Sequence, residues 1–585
     1  MKRFCENAIQ AKGIMDDAVR FVIDHQLKDR KTWKLYIDVF TSRVDSTDER
    51  WRGEYFGKQM RGACYAYMYT QDEELYQILT WAAGELLNTQ DEYGRFSTYT
   101  VDHEFCGWDM WCRKYVLTGL QHYYRICRDE ALKEKILAAC CRHLDYIADK
   151  IGDGKIDITS TSMWWGAVNS CTVLEPTVEL YKMTGCQKYL EFAKYILSTG
   201  GSSDCNLIEL ALEGSLMPYQ YPVTKAYEMM SFYEGLIAYY EATGEQKYFD
   251  AAKRFFDAVQ QSDITIIGCA GCTHELFDNS AVKQTEYSDQ IMQETCVTVT
   301  WIRVLTRMYL LTGDAKYCDW IERAGYNALY GSLNTNQCAQ KELVSGKYFS
   351  AKTFDSYSPL YMNSRGRGIG GFLTFDNGEY GGCCVAIGAC GVSLMPMLAV
   401  VCDDDAIFVN QQFNGTVTVK DQGGKEVTLN FESLSPVGDA CTITVQEECR
   451  LNLKLRNPDW CKEMLVNGQA VSKGAYCDAS GHYKAGEKIL FQWKRTLEKH
   501  QINDKIAFTY GEIVLAVDSA KSSRNIELPV KVAEKPAYQV LEPQEGELIR
   551  IECQTEDGVL LLTDYQSCGK MWTEDNNRIS VWLNM

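Results

Sequence analysis

Three thiols and one carboxylate in the sequence form a potential ligand set for a metal ion. Glu294 and Cys296 are separated by one residue, and the adjacent pair Cys383-Cys384 follows later in the chain. A tetrahedral Zn²⁺ accepts such ligands, and soft thiolates favour zinc over magnesium or calcium. However, the chain has 25 cysteines, so an adjacent pair is expected by chance, and Cys140-Cys141 is a second one. Taken alone, the pair is therefore weak support for a metal site.

The first part of the chain, about residues 46–400, must position these ligands. In it a helical pattern recurs that ends at a Thr-Gly turn and leads into a second helix, clearest at Thr184-Gly185, Thr243-Gly244 and Thr312-Gly313. Glycine just past a helix end is the expected left-handed stop. The recurrence predicts a repeat architecture. The long loops between copies favour a closed (α/α)6 barrel, and an open solenoid that binds proteins is the alternative.

The second part of the chain, residues 401–585, has the residue pattern of antiparallel strands. Segments such as 415–419 and 441–445 alternate with period two and are separated by turn residues, which predicts a β-sandwich. The last strands either complete this sandwich or make a small extra sheet. We therefore predict an α+β multidomain protein, divided into an N-terminal segment (1–45), an (α/α)6 barrel (46–400), a β-sandwich (401–530) and a C-terminal β extension (531–585).

Composition and charge exclude several classes of partner. A hydrophobic content of 46% with 24% charged residues is typical of a soluble globular protein. The net charge of −19 argues against nucleic-acid and anionic-membrane partners, which require a basic face. No signal peptide or membrane-spanning run is visible, and the cysteines lack the spacing of a disulfide scaffold. We expect a cytoplasmic protein with reduced thiols, and the sequence is compatible with a homo-oligomer.

A helical barrel followed by a β-sandwich, with Glu-x-Cys and Cys-Cys near the end of the barrel, resembles glycoside hydrolase family 127. These are the β-L-arabinofuranosidase-like enzymes. The resemblance runs over most of the chain and rests on the order of several modest motifs. These are 51–58 (WRGEYFGK), 294–296 (ETC), 383–384 (CC), 455–460 (LRNPDW), 466–468 (VNG) and 510–516 (YGEIVLA).

The resemblance implies a retaining glycosidase in which a zinc-bound cysteine is the nucleophile. The implied ligands are Glu294, Cys296, Cys383 and Cys384, and the implied nucleophile is Cys383. A thiol attacks an anomeric carbon only when it is ionised, and zinc binding removes its proton near neutral pH. Without the resemblance, four protein ligands and no open position would suit a structural zinc as well. The implied substrate is a short oligosaccharide or glycoside.

A glycosidase also needs a carboxylic acid that protonates the leaving oxygen. The resemblance places this acid/base residue slightly upstream of the Glu-x-Cys motif. The segment 268–277 aligns there and nominates Glu275. Glu286 and Asp289 are the alternatives, and His274 is expected to have a supporting role in the loop.

The sugar-binding residues implied by the resemblance differ from those of the arabinofuranosidases. Those enzymes carry Gly-His at three barrel helices, where this chain has Tyr115, Ser170 and Lys225. Asp109, with Arg113 and Lys114, lies nearby in the sequence. We hypothesise that the glycone is not β-L-arabinofuranose and that the added cations tolerate an acidic sugar or substituent.

Aromatic residues in the barrel loops are candidates for stacking against a sugar ring. We single out Trp164 and Tyr357 as substrate-binding residues. Two other functions stay open at this point. One is a non-catalytic carbohydrate-binding protein with a structural zinc, and the other is a sugar epimerase or isomerase on a helical barrel. The latter would need paired histidines, and the chain has only seven, without a convincing cluster.

Overall fold

The computed structural model describes the chain except residues 6–7, 49, 274, 288–290, 343–346, 363–367, 370–371, 376, 435, 472–473, 523 and 571–577. Its α-helices are concentrated before residue 400. They are α1 (Ile14–Val22), α2 (Arg30–Ser42), α3 (Glu54–Thr70), α4 (Glu73–Leu87), α5 (Asp109–Ile126), α6 (Glu130–Lys150), α7 (Val168–Cys171), α8 (Leu174–Thr184), α9 (Gln187–Ser198), α10 (Leu207–Glu213), α11 (Ala226–Thr243), α12 (Gln246–Ser262), α13 (Ser280–Lys283), α14 (Thr295–Thr312), α15 (Lys316–Arg323), α16 (Tyr330–Ser332) and α17 (Cys383–Ala399).

The helices form two concentric rings. Within the described residues each inner helix contacts the next and the last returns to the first, in the order α3, α5, α8, α11, α14, α17. The outer helices α4, α6, α9, α12 and α15 each pack against the inner helix that precedes them, and α1 packs against α17. The predicted (α/α)6 barrel is therefore confirmed, and the open solenoid is rejected because the ring closes.

The Thr-Gly turns end inner helices as the sequence predicted. Gly185, Gly244 and Gly313 follow α8, α11 and α14 directly, with φ of +69°, +76° and +72°. Each backbone N–H returns to the carbonyl four residues earlier, which closes the helix end. Only a residue without a Cβ adopts this conformation without cost, so the repeated glycine fixes where each inner helix stops.

The last inner helix, α17, is buried along its whole length. It is enclosed by neighbouring inner helices and by α1, which explains why its sequence is apolar on every face. In the part of the chain that the structure describes, no helix combines the length and the apolar character that crossing a membrane requires.

Strands dominate the chain after residue 400. All described strands are β1 (Arg3–Phe4), β2 (Ile9–Lys12), β3 (Met292–Glu294), β4 (Gln340–Glu342), β5 (Tyr348–Phe349), β6 (Tyr357–Pro359), β7 (Tyr361–Met362), β8 (Gly368–Ile369), β9 (Phe372–Thr374), β10 (Tyr380–Gly382), β11 (Val400–Cys402), β12 (Ile407–Val409), β13 (Asn414–Lys420), β14 (Glu426–Ser433), β15 (Ala440–Val445), β16 (Cys449–Leu451), β17 (Leu453–Arg456), β18 (Met464–Val466), β19 (Gln469–Ala470), β20 (Tyr476–Asp478), β21 (Gly481–Tyr483), β22 (Lys488–Trp493), β23 (Leu497–Ile502), β24 (Lys505–Tyr510), β25 (Ile513–Asp518), β26 (Tyr538–Leu541), β27 (Arg550–Thr555), β28 (Gly558–Asp564), β29 (Ile579–Ser580) and β30 (Leu583–Asn584).

These strands form three larger sheets in the described residues. One runs β1-β11-β12-β17-β20, and a second runs β19-β18-β22-β15-β14-β13-β2. The third runs β23-β24-β25-β28-β27-β26, so the strands after residue 531 extend a sheet that begins before it. The predicted C-terminal β-domain is confirmed, and its pairs are antiparallel except for the parallel pair β12 and β17 in the first sheet. Strand β15, for example, alternates between half-buried and buried residues.

The N-terminal segment is shared between the two parts of the protein. Strands β1 and β2 pair with β11 and β13 at the edges of two sheets, whereas α1 and α2 pack on the barrel. The β-domain is also held to the barrel by a buried ion-pair cluster, in which Arg456 of β17 contacts Asp319 and Glu322 of α15. These contacts hold the β-domain against α15.

Candidate active site

The four predicted ligands converge at the N-terminal ends of two inner helices. Glu294 is the last residue of β3, Cys296 is the second residue of α14, and Cys383-Cys384 open α17. The change from extended strand to helix between Glu294 and Cys296 lets both side chains point to one place. Their ligating atoms, together with those of Cys383-Cys384, all lie within 4.8 Å of one another.

The cluster is buried, and its polar atoms are only partly satisfied by the protein. Glu294 Oε1 accepts from Cys384 Sγ at 3.5 Å and from Cys383 Sγ at 3.6 Å, whereas no described group donates a hydrogen bond to Glu294 Oε2. Cys296 and Cys384 are fully buried, and Cys383 keeps 7% of its surface exposed. A buried carboxylate oxygen without a donor is costly. Because the donors are those of a tetrahedral zinc site, these residues fit a zinc ion.

The surroundings single out Cys383 as the thiol that ionises first. Hydrogen bonds from Cys296 and Cys384 lower the pKa of Cys383 well below its ordinary value, and the positive charges of Lys58 and Lys225 act in the same direction. Burial, by contrast, raises the pKa of Cys384 and of Glu294 well above their ordinary values. Cys383 also begins a helix, where the partial positive charge of the N-terminus favours a thiolate.

Glu275 lies in a loop, and its carboxylate contacts two polar side chains. Lys225 Nζ forms an ion pair with Glu275 Oε2, and Tyr357 Oη donates to Glu275 Oε1 at 3.0 Å. Tyr357 is in turn the strand partner of Glu294 across β3 and β6, which links the loop to the ligand set. Glu275 itself has φ of +67°, a strained backbone for a residue other than glycine.

Glu286 and Asp289 were the alternatives to Glu275 as the acid/base residue. Glu286 is exposed on the surface, in the turn after α13. Asp289 and His274 lie outside the described residues. The structure therefore brings Glu275, rather than Glu286, towards the ligand cluster.

An ion pair beneath the cluster was not among the predicted site residues. Lys58 Nζ lies 2.8 Å from Glu54 Oε1 and 3.9 Å from Cys296 Sγ. Trp111 Nε1 donates to Glu54 Oε2, and burial raises the pKa of Glu54 to about 7. The sequence signal was an i,i+4 charge pair in the 51–58 motif, which normally marks a solvated helix face.

Family models place this architecture among known proteins. The model described as "Beta-L-arabinofuranosidase, GH127 catalytic domain" matches residues 16–341, more than half of the chain. The chain belongs to glycoside hydrolase family 127. The model of the GH127 middle domain matches residues 406–495. As a family 127 member, the protein is a glycoside hydrolase with a carbohydrate substrate, which sets aside a non-catalytic binding protein and a sugar epimerase or isomerase.

Solved structures of family 127 share the whole fold. A GH127 β-arabinofuranosidase is 17% identical with a TM-score of 0.76, and the match covers 100% of this chain and 98% of that one. A GH127 β-L-arabinofuranosidase from Geobacillus stearothermophilus T6 is 17% identical with a TM-score of 0.74, covering 98% and 99% of the two chains. At this identity the likeness shows the fold alone. Among curated proteins, none matches the chain.

Of the three sugar-binding positions that the resemblance implied, two are engaged internally in this member. Tyr115 is fully buried, and its hydroxyl shares a hydrogen bond with that of Tyr227. Lys225 is paired with Glu275. Ser170 is fully buried, and its hydroxyl bonds to no group in the described residues. Thus only Lys225 of these three contacts a predicted catalytic residue.

Asp109 and Trp164 were also predicted to bind substrate, and both are engaged by loops of the family 127 barrel. Asp109 is fully buried and accepts hydrogen bonds from Ser97 Oγ at 2.6 Å, the Phe105 amide at 2.8 Å and Arg113 Nε at 2.9 Å. Trp164 is half-buried, and its indole N–H donates to the Asp48 carbonyl at 3.0 Å. The hydrogen bonds of both side chains thus go to barrel loops and to Arg113 of α5, whereas the predicted Tyr357 reaches Glu275.

Proposed function

We propose that this family 127 member is a zinc-dependent retaining glycosidase with Cys383 as nucleophile and Glu275 as acid/base. The proposal rests on one observation: Glu294, Cys296 and the Cys383-Cys384 pair, distant in sequence, meet at the positive ends of two inner helices. A purely structural zinc would be satisfied by the same four ligands. The strained, tethered Glu275 on the strand side of the cluster favours catalysis instead.

Zinc held by Glu294, Cys296, Cys383 and Cys384 would keep the cysteines deprotonated near neutral pH. Cys383 Sγ then attacks the anomeric carbon while Glu275 donates its proton to the leaving oxygen. A C–S bond forms as the glycosidic C–O bond breaks. In the second step water attacks the same carbon, Glu275 takes its proton, and the C–S bond breaks. Two displacements at one carbon retain the configuration.

Lys225 and Tyr357 are proposed to orient Glu275 for both steps. Each contacts a different carboxylate oxygen, so the group cannot rotate without losing a contact. A fixed acid/base within reach of the leaving oxygen is what general acid catalysis requires. Because Lys225 is paired with Glu275, its charge is not free to bind an anionic group of the substrate.

This pairing changes the expectation for the substrate. Two of the cations that suggested an acidic sugar have protein partners, Lys225 with Glu275 and Arg113 with Asp109 and Glu104. Burial lowers the pKa of the third, Lys114, to about 7, which reduces its charge near neutral pH. We therefore propose a neutral glycone. Because Tyr115 and Lys225 bond within the protein, we retain the hypothesis that its hydroxyl pattern differs from that of β-L-arabinofuranose.

The test is aglycone release from a panel of aryl glycosides, including β-L-arabinofuranoside, other neutral furanosides and pyranosides, and uronosides. We expect turnover of a neutral glycoside that a chelator abolishes and added zinc restores. Cys383→Ser should abolish this turnover, because a serine hydroxyl is not ionised at neutral pH and is a poor zinc ligand.

The matched control is Cys141→Ser, in the other adjacent cysteine pair, on α6. This variant should keep its activity. Turnover that survives both chelation and Cys383→Ser would refute the mechanism. Efficient hydrolysis of the β-L-arabinofuranoside would refute only the hypothesis about the glycone.

A further inference from the structure

A second cavity lies inside the barrel, on the side of the inner ring away from the ligand cluster. Its volume is about 340 Å³, and all inner helices contribute to its wall. The lining includes Arg61 of α3, Arg125 of α5, Glu175 of α8, Glu234 of α11, Arg303 of α14 and Leu394 of α17. The proposed glycosidase mechanism uses none of these residues.

A buried tyrosine pair lies next to both the cavity and the active site. The ring of Tyr115 has Lys58 of the active site 5.2 Å from its centroid and the guanidinium of Arg61 5.7 Å from it. The Tyr115 hydroxyl is bonded to that of Tyr227 on α11. Tyr115 therefore contacts both Lys58 of the active site and Arg61 of the cavity wall.

The charges at the outer end of the cavity neutralise one another. Arg307 Nη2 lies 2.7 Å from Glu241 and 3.1 Å from Glu179. Lys182 Nζ lies 3.0 Å from Glu179 and 3.2 Å from Glu241, and Arg125 lies 2.7 Å from Glu179. Side chains of Arg125 and Lys182 are 48% and 36% exposed, so this end faces solvent.

The inner end of the cavity, by contrast, has cations whose donors are not satisfied by the described residues. Arg61 is fully buried, and no oxygen of those residues accepts a hydrogen bond from its Nε, Nη1 or Nη2. Its Cys390 neighbour is a weak and uncharged acceptor, because burial raises the pKa of that thiol. Lys114 does not line the cavity, but its charge acts on the same groups, and its buried Nζ has no hydrogen-bond acceptor in the described part of the chain. Arg303 pairs with Glu234 through Nη1 at 2.6 Å, which leaves its Nε and Nη2 without an acceptor among the same residues.

This end of the cavity is short of negative charge. Burial, with the positive charges of Arg303 and Arg61, lowers the pKa of Lys114 to about 7, although Glu175 and Glu234 act in the opposite direction. Buried donors that lack acceptors carry a large desolvation cost. An anion that accepted their hydrogen bonds would remove that cost.

One acceptor in the wall limits which anion fits. Glu175 Oε2 is buried and has no hydrogen-bond donor among the described residues. A carboxylate oxygen repels a fully deprotonated anion but accepts a hydrogen bond from an anion that carries a proton. A guanidinium binds two oxygens of a tetrahedral oxyanion at once.

We propose that this cavity is a binding site for inorganic phosphate, with Arg61 and Arg303 as donors and Glu175 as acceptor of the P–OH proton. Phosphate keeps at least one proton at neutral pH, whereas sulfate does not. The site therefore binds phosphate in preference to sulfate and chloride. It is independent of the proposed glycosidase mechanism.

Isothermal titration calorimetry of the full-length, zinc-loaded protein with phosphate tests the proposal. The melting temperature is then measured over the same range of phosphate concentrations. We expect one phosphate per chain, a saturable rise in melting temperature, and binding of sulfate weaker by about tenfold or more, because a site built around a ligand hydroxyl rejects the analogue without it. An absence of saturable phosphate binding by the unmodified protein would overturn the proposal, whatever the variants do.

Arg61→Met should remove phosphate binding and the rise in melting temperature. Arg128→Met is the matched control, since Arg128 pairs with Glu73 in an exposed ion pair on the outer surface, and it should bind phosphate as the unmodified protein does. Phosphate binding that survives Arg61→Met, or equal affinities for sulfate and phosphate, would contradict the assignment. Should Arg61→Met fold poorly, Glu175→Gln provides the second test, because it should reduce the preference for phosphate over sulfate.

Discussion

Replacing Gly57 by alanine tests whether the close contact between α3 and α5 positions the active site. A Cβ at Gly57 would lie 1.7 Å from the Tyr115 carbonyl oxygen and 2.3 Å from its carbon. The obstacle is backbone, so no side-chain rotation relieves it. Gly57 directly precedes Lys58, and α5 carries Trp111. Forcing the helices apart should therefore disturb the Glu54–Lys58–Trp111 contacts next to Cys296.

The expected magnitude follows from two opposing terms. Overpacking a well-packed interior costs about 1–3 kcal/mol, and a clash with backbone belongs at the upper end, about 3 kcal/mol. Alanine gains about 1 kcal/mol over glycine from helix propensity. The net destabilisation at Gly57 is therefore about 2 kcal/mol. At Gly84 in α4, a Cβ would meet no described atom within 4 Å, so the same substitution there should stabilise the protein by up to about 1 kcal/mol.

The assay is urea unfolding followed by circular dichroism, together with kcat/KM on the best aryl glycoside. Gly57→Ala should lower the unfolding midpoint and the activity, whereas Gly84→Ala should raise the midpoint slightly and leave the activity unchanged. A Gly57→Ala protein that unfolds at the unmodified midpoint, with unchanged kcat/KM, would show that the helix contact is not needed to position the site.

Three further outcomes are expected. Purified protein should contain one zinc per chain. Cys384→Ala should lose most of this zinc, whereas the control Cys141→Ala should keep it. Zinc content unaffected by Cys384→Ala would place the metal elsewhere. Glu275→Gln should lower kcat/KM by about 10²–10⁴ for a glycoside with a poor leaving group and far less for a dinitrophenyl glycoside; equal losses would remove Glu275 as the acid. Arg456→Met should destabilise the protein by about 3–5 kcal/mol in urea unfolding, because it leaves the buried carboxylates of Asp319 and Glu322 unpaired; an unchanged midpoint would contradict this.

The features that could be predicted from sequence were those encoded locally. Thr-Gly turns mark helix ends because only glycine takes the left-handed stop easily, and alternating residues mark strands. The ligand set was visible only through the family resemblance, because an adjacent cysteine pair is expected by chance in a chain with 25 cysteines. The closure of the barrel was predicted from the long loops between the repeated helices, because the repeat alone was also compatible with an open solenoid.

The features that could not be predicted depend on contacts between distant segments. The pairing of β1 with β11 joins residues about 400 positions apart, and no local pattern indicates it. Lys58 and Glu54 resemble a solvated i,i+4 pair until α3 is known to be an inner helix. Conversely, Asp109 and Trp164 were polar or aromatic residues near the expected pocket, but the loops around them use their hydrogen bonds.

The ion pair of Lys225 is another contact that could not be predicted from sequence. In sequence it is one more cation near the expected sugar pocket, and it suggested an acidic substrate. In the fold, the loop carrying Glu275 runs beside the start of α11, and the backbone bridge between Lys225 and Leu276 brings the two charges together. Their pairing is a consequence of loop geometry that no spacing in the sequence specifies.

The proposed covalent bond between Cys383 and the sugar is the step on which the mechanism depends. It is measured most directly by mass spectrometry of the intact protein and its peptides after reaction with a mechanism-based inhibitor derived from the best glycoside. We expect a single glycosyl adduct on Cys383, absent from Cys383→Ser and from chelated protein. An adduct on Glu275 or another carboxylate would contradict the cysteine mechanism.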